Sequence, residues 1–490
     1  MDVIVVGCGA SGVAALRRLH DAGLKVVGLE AADRIGGRIC TVEYGEGRLD
    51  VGAAWCHGEK DNIVFELANP LDLLGRPNPD HQWFVRSNGD LVPEDQGKAI
   101  QDTLSQAVEA ADKNNAKSIS ECVRDATIST PSLQQDPHLS ASFAEWFERS
   151  NHAGGARGKS LRGLDESWGC EGEFMLNWKG RGYATVLDVM LNKHPDPTQQ
   201  VPIQILLNKE VTSIKWRSQA AAAPLVHVQC RDGSLYAAKS LIVTMSVGVL
   251  KERGELVHVQ CRDGSLYAAK SLIVTMSVGV LKERHAKLFN PPLPAEKVNT
   301  INNLQMCVLD KIYIEFTKPW WPKFPSSFAV LWRPEDKDKF SKEERWITEI
   351  YGFNTVEYQP NSLLAWIYGE GAVEMEKVSE DAVKAGVIKL LNVLFSKEFE
   401  VTPVKSILRS KWASNPFARG AYAYRSVTNE QHGGGAITLS EPLYFKDNFP
   451  ILCFGGEATS HHRHGAVHGA IEAGFREADR LIEAFIKGIY

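Results

Sequence analysis

The order of apolar and polar positions at the start of the chain predicts two strands with a helix between them. An apolar run over Asp2–Val6 is followed by glycine, then by apolar residues at helical spacing, and then by a second apolar run over Lys25–Leu29. Short apolar runs bounded by glycine are typical of buried strands, and a 3.6-residue period is typical of a helix packed on them. The second run ends at Glu30, so the strand–helix–strand unit closes on a carboxylate.

Farther along the chain, the pattern predicts longer helices and scattered strands. Strand-like residues cover 39–42 and 49–51, and a buried strand runs from Pro450 into a Gly-Gly-Glu sequence. Polar loops rich in Asp, Asn and Pro interrupt residues 78–200, where the helical period is otherwise strongest. The predicted helices cover residues 97–111, 139–149, 182–191 and 465–487.

One segment of the pattern occurs twice. Residues 225–253 recur letter for letter as residues 256–284, which is 29 identical residues at an offset of 31. Solenoid repeats have diverged and need about three or more copies to build a core, so we interpret this pair as a recent tandem duplication or a mis-assembled gene model. Each copy reads as three strands. We expect one copy to pair in the fold and the other to be displaced and poorly packed.

Composition and charge exclude several classes of protein. The chain has 490 residues, 44% hydrophobic and 23% charged, and a formal net charge of −5, which gives no reason to expect nucleic acid or an anionic membrane as a partner. The nine cysteines form no metal-binding spacing, and their odd number favours reduced thiols in the cytoplasm. We see no signal peptide and no apolar stretch of membrane-spanning length. Oligomeric state cannot be read from the sequence.

Candidate chemistry begins with the glycine turn after the first strand, where Gly7, Gly9 and Gly12 have the spacing GxGxxG. The first glycine allows a tight turn, the second lets the backbone approach a pyrophosphate, and the third lets the helix pack close to the sheet. The helix N-terminus at Ala10 and Ser11 then directs amides at the phosphates.

Glu30 stands where a carboxylate binds the hydroxyl groups of a ribose in dinucleotide-binding proteins. An acid at this position disfavours a 2′-phosphate and therefore NADP. The N-terminus thus predicts a dinucleotide site, and it leaves NAD and FAD as alternatives.

Five motifs in a fixed order identify a family. They are Gly36-Gly37-Arg38, GAAWCHG at 52–58, LDKIYIEF at 309–316, WASNPFARGAYAY at 412–424, and GEAT followed by VHGA at 456–470. Together they resemble the flavin-containing amine oxidases, and most closely the branch of spermine oxidases and N1-acetylpolyamine oxidases. The resemblance covers nearly the whole chain except one duplicate and parts of residues 78–169. It implies FAD rather than NAD, bound without a covalent link because residues 415–424 contain no cysteine.

The resemblance implies several cofactor contacts beyond the glycine turn. Arg38 would bring a cation to the pyrophosphate, and Glu457 would accept a hydrogen bond from a ribitol hydroxyl. A helix beginning at Val467 would direct the positive end of its dipole at the flavin. The other implied contacts are Gly52, Ala53, Ala54, Trp55, Val211 (whose backbone would contact the adenine), Trp412 and Gly456.

Two residues receive catalytic roles from the resemblance. Lys311 shares a strand face with Leu309, Tyr313 and Glu315, and it would hold a water at the flavin N5 that assists imine hydrolysis or reoxidation by oxygen. A buried ammonium there would have a lowered pKa and could act as a base near neutral pH. His57 would lie in the substrate channel, where it would bind a substrate amine and favour its neutral form.

Aromatic and acidic residues complete the predicted substrate site. Trp55, Trp412, Tyr422 and Tyr424 could line an aliphatic amine channel or make cation–π contacts. Glu173, with Glu171 as the alternative, is assigned to a distal ammonium by position only. Ala466 replaces a caging tyrosine of plant relatives. Four histidines (His461, His462, His464 and His468) fit no usual ligand spacing, so we expect no metal.

The predicted fold class is α/β, with a discontinuous FAD-binding Rossmann-like domain and a mixed-sheet α+β substrate-binding domain. Residues 1–77, 205–290 and 445–490 are assigned to the first domain, and residues 78–204 and 291–444 to the second.

The predicted function is an FAD-dependent oxidase of spermine or of N1-acetylated spermine or spermidine, which consumes oxygen and yields an aldehyde, a shorter amine and hydrogen peroxide. Three alternatives remain. An L-amino-acid oxidase would need an arginine for the carboxylate, such as Arg181 or Arg419. A chromatin amine oxidase would carry a helical domain and a coiled insertion, which the sequence does not show. The third is a flavin-binding protein inactivated by the duplication.

Overall fold

A computed structural model gives the fold of the chain. It describes residues 1–78, 81–112, 117–151, 159–165, 168–216, 226–229, 235–238, 257–322, 327–444 and 448–488. The strands are β1 (Val3–Val6), β2 (Val26–Leu29), β3 (Thr41–Tyr44), β4 (Gly47–Asp50), β5 (Gln82–Arg86), β6 (Leu91–Val92), β7 (Gln204–Leu206), β8 (Val211–Lys215), β9 (Val226–Gln229), β10 (Leu235–Ala238), β11 (Val257–Cys261), β12 (Leu266–Ala269), β13 (Ser271–Val274), β14 (Phe289–Asn290), β15 (Gln305–Cys307), β16 (Leu309–Phe316), β17 (Ser327–Leu331), β18 (Ile350–Thr355), β19 (Ser362–Tyr368), β20 (Val404–Arg409), β21 (Tyr422–Tyr424), β22 (Leu443–Tyr444) and β23 (Pro450–Phe454). The α-helices are α1 (Ala10–Asp21), α2 (Ile63–Ala68), α3 (Glu94–Ala110), α4 (Ile119–Ser129), α5 (Pro137–Asn151), α6 (Arg162–Asp165), α7 (Thr185–Met190), α8 (Val278–Leu288), α9 (Ala295–Asn303), α10 (Pro334–Lys337), α11 (Gly369–Lys377), α12 (Glu380–Phe395), α13 (Val427–His432), α14 (Ala436–Ser440) and α15 (Val467–Ile486).

A six-stranded sheet holds the N-terminal unit. Its order is β22-β23-β13-β1-β2-β7, and all neighbours are parallel except β22 and β23. The predicted strand–helix–strand unit is confirmed as β1, α1 and β2. The strand order reverses between β1 and β13, and in open α/β sheets the ligand crevice forms at such a reversal.

The two faces of this sheet are covered differently. On one face, α1 and α15 pack in one hydrophobic cluster with Val3 and Val5 of β1. Buried residues between Leu176 and Leu191, α7 among them, pack in the same cluster, although they lie in the range predicted for the substrate domain. On the other face, Ile4 and Val6 join the four-stranded sheet β12-β11-β8-β14 and α8.

A seven-stranded mixed sheet forms the second large layer, with the order β20-β16-β19-β18-β17-β5-β6. Its strands are antiparallel neighbours except β17 and β5, which are parallel. One face packs on α12 through Ile312, Ile314 and residues of that helix. The other packs on α3, α4 and α5, two of which (α3 and α5) cover the helices predicted at 97–111 and 139–149.

The second copy of the duplicated sequence supplies the paired strands. Residues 256–284 form β11, β12, β13 and most of α8, and β13 lies between β1 and β23. In the first copy, β9 and β10 form a hairpin in the same register as β11 and β12. Within the described residues, that hairpin pairs with no further strand. One copy therefore pairs in the sheets, as predicted, whereas the predicted poor packing of the other concerns side chains outside the described part.

No helix among the described residues combines the length and the apolar character that crossing a bilayer requires. The long C-terminal helix α15 is instead amphipathic, with buried residues along one side.

Candidate functional site

A cavity of about 350 Å³ runs along the carboxyl edge of the six-stranded sheet and continues to the seven-stranded sheet. Its wall includes the ends of β1, β2 and β13, and it reaches Lys311 on β16 and Trp366 on β19. It therefore lies at the reversal of strand order, where parallel sheets bind their ligands.

The glycine turn after β1 forms one wall. Gly7 has a φ of +93°, and a Cβ on Gly12 would lie 1.9 Å from the Gly7 carbonyl oxygen, so only glycine fits beneath the turn. From β13, the Thr275 hydroxyl donates to the same oxygen at 2.8 Å. Gly9 caps α1 without a side-chain hydrogen bond, which leaves the first-turn amides for an anionic ligand.

Glu30 closes the far side of this turn and is 6% exposed. One carboxylate oxygen accepts from the Cys8 amide at 2.8 Å, and the other accepts from the Ala32 amide at 2.9 Å. Because each carboxylate oxygen has two lone pairs, Glu30 can hold the turn and still accept from a ligand hydroxyl.

Arg38 and Glu457 meet on the cavity wall. Arg38 Nη1 donates to Glu457 Oε1 at 2.6 Å, and Glu457 Oε2 accepts from the Gly465 amide at 2.9 Å. Glu457 also accepts from the Ala423 amide. The carboxylate thus fixes the arginine, strand β21 and the loop at Gly465 in one place.

The residues present fit the predicted FAD. The uncapped amides of α1 and the Arg38 guanidinium can donate hydrogen bonds to a pyrophosphate, and Glu30 can accept from the hydroxyl groups of a ribose. The backbone at Gly52 lies so close to that of Arg38 that a Cβ on Gly52 would be 1.9 Å from the Arg38 carbonyl oxygen. At the other end, α15 begins at Val467 on the cavity wall, also without a side-chain cap.

Lys311 is held between two carbonyls and two indoles. Its Nζ donates to the carbonyl oxygens of Asp50 at 2.8 Å and of Gly52 at 2.7 Å. The rings of Trp55 and Trp366 lie 5.3 and 5.2 Å from Nζ. Lys311 is 5% exposed, and this burial lowers its pKa to about 8, opposed by the charge of Asp50.

Asp50 ends β4 and ties three elements together. Its carboxylate accepts from the Thr41 hydroxyl and from the Tyr183 amide, while its main-chain oxygen accepts from Lys311 and from the Tyr313 hydroxyl. Burial raises the pKa of Asp50 to about 6, and its hydrogen bonds and the Lys311 charge limit the rise. Near neutral pH, Asp50 is a carboxylate that favours the protonated state of Lys311.

His57 lies on the cavity wall, and its hydrogen bond fixes the tautomer. Nδ1 lies 2.7 Å from the Phe174 carbonyl oxygen, which can only accept, so Nδ1 carries the proton and Nε2 keeps a lone pair. The ring stacks on Phe174 at 4.3 Å. Burial lowers the His57 pKa, and the Lys311 charge adds to this effect, so the imidazole is neutral near pH 7.

The structure brings most of the predicted residues to this one cavity. Three are not on its wall. Gly12 supports the turn from beneath, Tyr424 lies two residues farther along β21 than Tyr422, opposite Gln305, and Glu173 bonds within its own loop by accepting from the Met175 amide. Those on the wall are Gly7, Gly9, Ala10, Ser11, Glu30, Arg38, Gly52, Ala53, Ala54, Trp55, His57, Val211, Lys311, Trp412, Tyr422, Gly456, Glu457 and Val467.

Several wall residues were not found from the sequence. Thr275 and Ser277 follow β13, and the carboxyl end of a buried strand was a usable signal for them. Trp366 stands opposite Lys311 in the pairing of β16 with β19, which no local pattern indicates. His468 also lies on the wall, and burial lowers its pKa to about 4.

The clustered histidines have separate partners. His461 bonds to the Ser440 hydroxyl at 3.1 Å, and His462 stacks on Trp168 at 3.5 Å. In the described part of the chain, no group of three or more metal-ligating side chains could hold a metal ion.

Comparison with known proteins gives one family. The sequence model of the family described as flavin containing amine oxidoreductase matches residues 10–256 and residues 252–482. These two stretches meet inside the duplicated region.

Three relatives illustrate the similarity. The chain is 27% identical to the human protein named peroxisomal N(1)-acetyl-spermine/spermidine oxidase, across 98% of this chain and 94% of that protein. It is 25% identical to probable polyamine oxidase 5 of Arabidopsis thaliana, across 99% and 98% of the two chains. It is 26% identical to polyamine oxidase 1 of Oryza sativa subsp. japonica, across 99% and 98%.

Proposed function

Because this chain belongs to the flavin-containing amine oxidoreductases, we propose that it oxidises polyamines such as spermine or N1-acetylated spermine and spermidine. One amine, one oxygen molecule and one water would give an aldehyde, a shorter amine and hydrogen peroxide. The names of the human and plant relatives support this substrate class, since the similarity extends over nearly the full length of each chain.

FAD, when bound, supplies the redox chemistry: it takes a hydride from the carbon beside the amine nitrogen and passes the electrons to oxygen. The α1 amides and Arg38 would hold its pyrophosphate, Glu30 its ribose, and Glu457 its ribitol. The Val211 backbone would contact the adenine. The stretch 415–424 has no cysteine, so we expect a non-covalent cofactor.

The observation that carries the proposal is the geometry of Lys311. A neutral amine has two N–H groups and one lone pair, and the carbonyls of Asp50 and Gly52 accept both N–H groups. The lone pair is then free for the cavity, where it can accept from a water. With a pKa of about 8, Lys311 can release its third proton near neutral pH and keep both bonds. Hydrolysis of an imine requires a water activated in this way.

His57 and the indoles would position the substrate. The free Nε2 of His57 can accept from an N–H of the neutral substrate amine, which is the form that loses hydride. Trp55, Trp366 and Tyr422 give the same part of the wall apolar faces suited to methylene chains. An aliphatic amine fits this combination better than a carboxylate does.

The alternatives have less support. Neither Arg181 nor Arg419 is on the cavity wall, and Arg419 pairs with Glu283, so neither is placed for an amino-acid carboxylate. An inactive flavin-binding protein would require a disturbed sheet, but β13 pairs in continuous register with β1 and β23.

Anaerobic mixing of the holoenzyme with single amines tests the function. We expect spermine, N1-acetylspermine or N1-acetylspermidine to bleach the oxidised flavin within a turnover, and air to restore it with one peroxide per amine. Leucine and benzylamine serve as matched non-polyamine substrates and should bleach it at least about a hundredfold more slowly. Faster bleaching by leucine would overturn the proposal in favour of an amino-acid oxidase, and stoichiometric FAD without bleaching by any amine would make the chain an inactive flavoprotein.

The finer architecture is part of the same proposal. Residues 1–77, 205–290 and 445–490 would form the FAD-binding domain, and residues 78–204 and 291–444 the substrate-binding domain. The buried side chains between Leu176 and Leu191 pack with α1. They therefore favour moving the boundary at residues 204/205, where the second FAD-binding segment begins, toward residue 175. The cytoplasmic location stays a prediction.

A further inference from the structure

Two carboxyl groups meet behind the cavity wall. Asp310 on β16 is fully buried and points to the face opposite its neighbour Lys311, and Glu376 near the end of α11 is 6% exposed. Neither side chain forms a salt bridge among the described residues. Arg409 interacts electrostatically with both carboxyl groups, but its guanidinium donates to the carbonyls of Met375 and Val378.

The pair holds three consecutive backbone amides. Asp310 Oδ1 accepts from the Trp412 amide at 3.1 Å, and the two oxygens of Glu376 accept from the amides of Ala413 at 2.8 Å and Ser414 at 2.7 Å. Asp310 Oδ1 also accepts from the Ser410 hydroxyl at 2.6 Å. The whole turn that carries Trp412 is therefore bound to carboxyl oxygens.

This turn is connected to both functional parts of the cavity wall. The Trp412 indole N–H donates to the Val51 carbonyl at 3.0 Å, between the two carbonyls that hold Lys311. The Ser410 hydroxyl accepts from the Lys311 amide at 2.8 Å, and the Lys311 carbonyl accepts from the Ser410 amide at 2.9 Å. A shift of the turn would move the indole, the Val51–Gly52 backbone and the lysine together.

Counting donors assigns one proton to the pair. The remaining Asp310 oxygen, Oδ2, is buried and accepts from no donor in the described part of the chain, and the Asp310 side chain is hydrogen-bonded to that of Glu376. Two ionised carboxylates in that position would repel each other in a dry environment. Both Glu376 oxygens already accept from amides, whereas Asp310 Oδ2 accepts from no donor, so the proton of the pair lies on Asp310 Oδ2.

We propose that Asp310 and Glu376 share one proton and act as positioning residues, which fix the Trp412 turn and through it the Lys311 site. The catalytic consequence rests on the proposed function, whereas the shared proton and the fixed turn do not. Arg409 interacts with both carboxyl groups and also with Glu380, and Cys307 interacts with Asp310.

The pH dependence follows from the sign of the shift. Burial, the hydrogen bond to Glu376 and its charge raise the Asp310 pKa to about 8 in the folded protein, from an ordinary value near 4. Between these values the folded chain binds one proton more than the unfolded chain, so this group makes the protein less stable as pH rises. Above pH 8 the effect levels off.

The test compares the holoenzyme with the Asp310→Asn and Asp310→Ala variants. An asparagine amide can donate to Glu376 while its carbonyl accepts from Ser410 and Trp412, so it reproduces the protonated acid. We expect the melting temperature of wild type to fall relative to Asp310→Asn by about 1 °C per pH unit between pH 5 and 8, with a constant difference above. If the difference in melting temperature between wild type and Asp310→Asn does not change with pH, the pair does not share a proton and the proposal is overturned.

Asp336→Asn is a matched control. Asp336 is also a buried carboxylate at 2% exposure, but Arg333 and Lys339 hold its pKa low at about 2. Its replacement should lower the melting temperature by a similar amount from pH 5 to pH 9. A slope equal to that of Asp310→Asn would show that burial alone, and not the pair, produces the effect.

Asp310→Ala leaves the Trp412 amide without its acceptor. We expect a changed visible spectrum of the bound flavin and a lowered kcat at similar KM, and we expect Asp310→Asn to restore both. The spectrum and melting data report on the pair even if no polyamine is oxidised, so failure of the proposed function is distinguished from failure of this inference. Equal spectra and kcat in all three proteins would overturn the positioning role, as would an asparagine variant that behaves like alanine.

Discussion

Val274→Asp is expected to abolish retention of FAD, whereas Val243→Asp, the same change at the corresponding position of the first copy, is expected to leave it intact. Val274 is 1% exposed in β13 and pairs with Val6 and Phe454, directly before the cavity. An unpaired carboxylate at this position has no hydrogen-bonding partner and destabilises the sheet by several kcal/mol. Val243 lies outside the described residues.

The measurement is FAD content per purified chain for both variants and wild type. We expect less than about one tenth of the wild-type FAD in Val274→Asp, since the strand borders the glycine turn through Thr275. Because the two copies are identical, every local effect of the substitution on the unfolded chain is matched. Equal loss in both variants would mean that either copy can occupy the sheet.

The ends of the duplicated sequence explain why the second copy is used. Its N-terminal boundary lies in the connection from β8 to β11, where added residues are tolerated, and its C-terminal boundary after Arg284 falls inside α8. If the first copy occupied the sheet, 31 extra residues would interrupt this helix before Leu288, which is 2% exposed. Pairing the second copy keeps the helix continuous.

Lys311→Met is expected to slow turnover by about a hundredfold or more, because the side chain keeps its length and loses the lone pair that holds a water. The wild-type rate should rise with pH through the Lys311 pKa of about 8, as the amine becomes neutral, and this limb should be missing in the variant. The measurement is kcat across pH 6–10 together with the rate of flavin reoxidation by oxygen.

Lys297→Met is the matched control. Lys297 is also buried with a pKa lowered to about 8, but its Nζ donates to three carbonyls, those of Thr438, Leu439 and Glu441, and it has no place on the cavity wall. We expect this variant to be less stable than wild type and to keep the rise of kcat with pH. If Lys311→Met keeps both the wild-type kcat and the wild-type rate of flavin reoxidation, the role given to Lys311 is excluded.

Local pattern was sufficient for the parts of the site built from neighbouring residues. The unit from β1 to Glu30 follows from periodicity and glycine spacing, and the alternation in β16 separates Tyr313 from Ile312 and Ile314 as predicted. These features depend on chain geometry over a few residues, so the sequence specifies them directly.

Features that depend on pairing between distant segments could not be predicted. Trp366 faces Lys311 because of the register between β16 and β19, and Asp50 reaches Lys311 through its main-chain oxygen, which no side-chain pattern reveals. Tyr424 shares the predicted aromatic character of Tyr422 but extends beyond the cavity. Likewise, nothing local distinguishes one copy of the duplicated sequence from the other.

The identity of the two copies also determines what a tryptic digest can reveal. Removing residues 225–255 or residues 254–284 gives the same shortened chain, so no deletion product records which copy was lost. Peptides inside each copy, such as SLIVTMSVGVLK, occur in the long and the short chain alike. The peptide GELVHVQCR, residues 254–262, spans the junction and exists only when both copies are present. A single mass in a digest of the natural protein therefore reports whether the hairpin of β9 and β10 is part of the molecule at all.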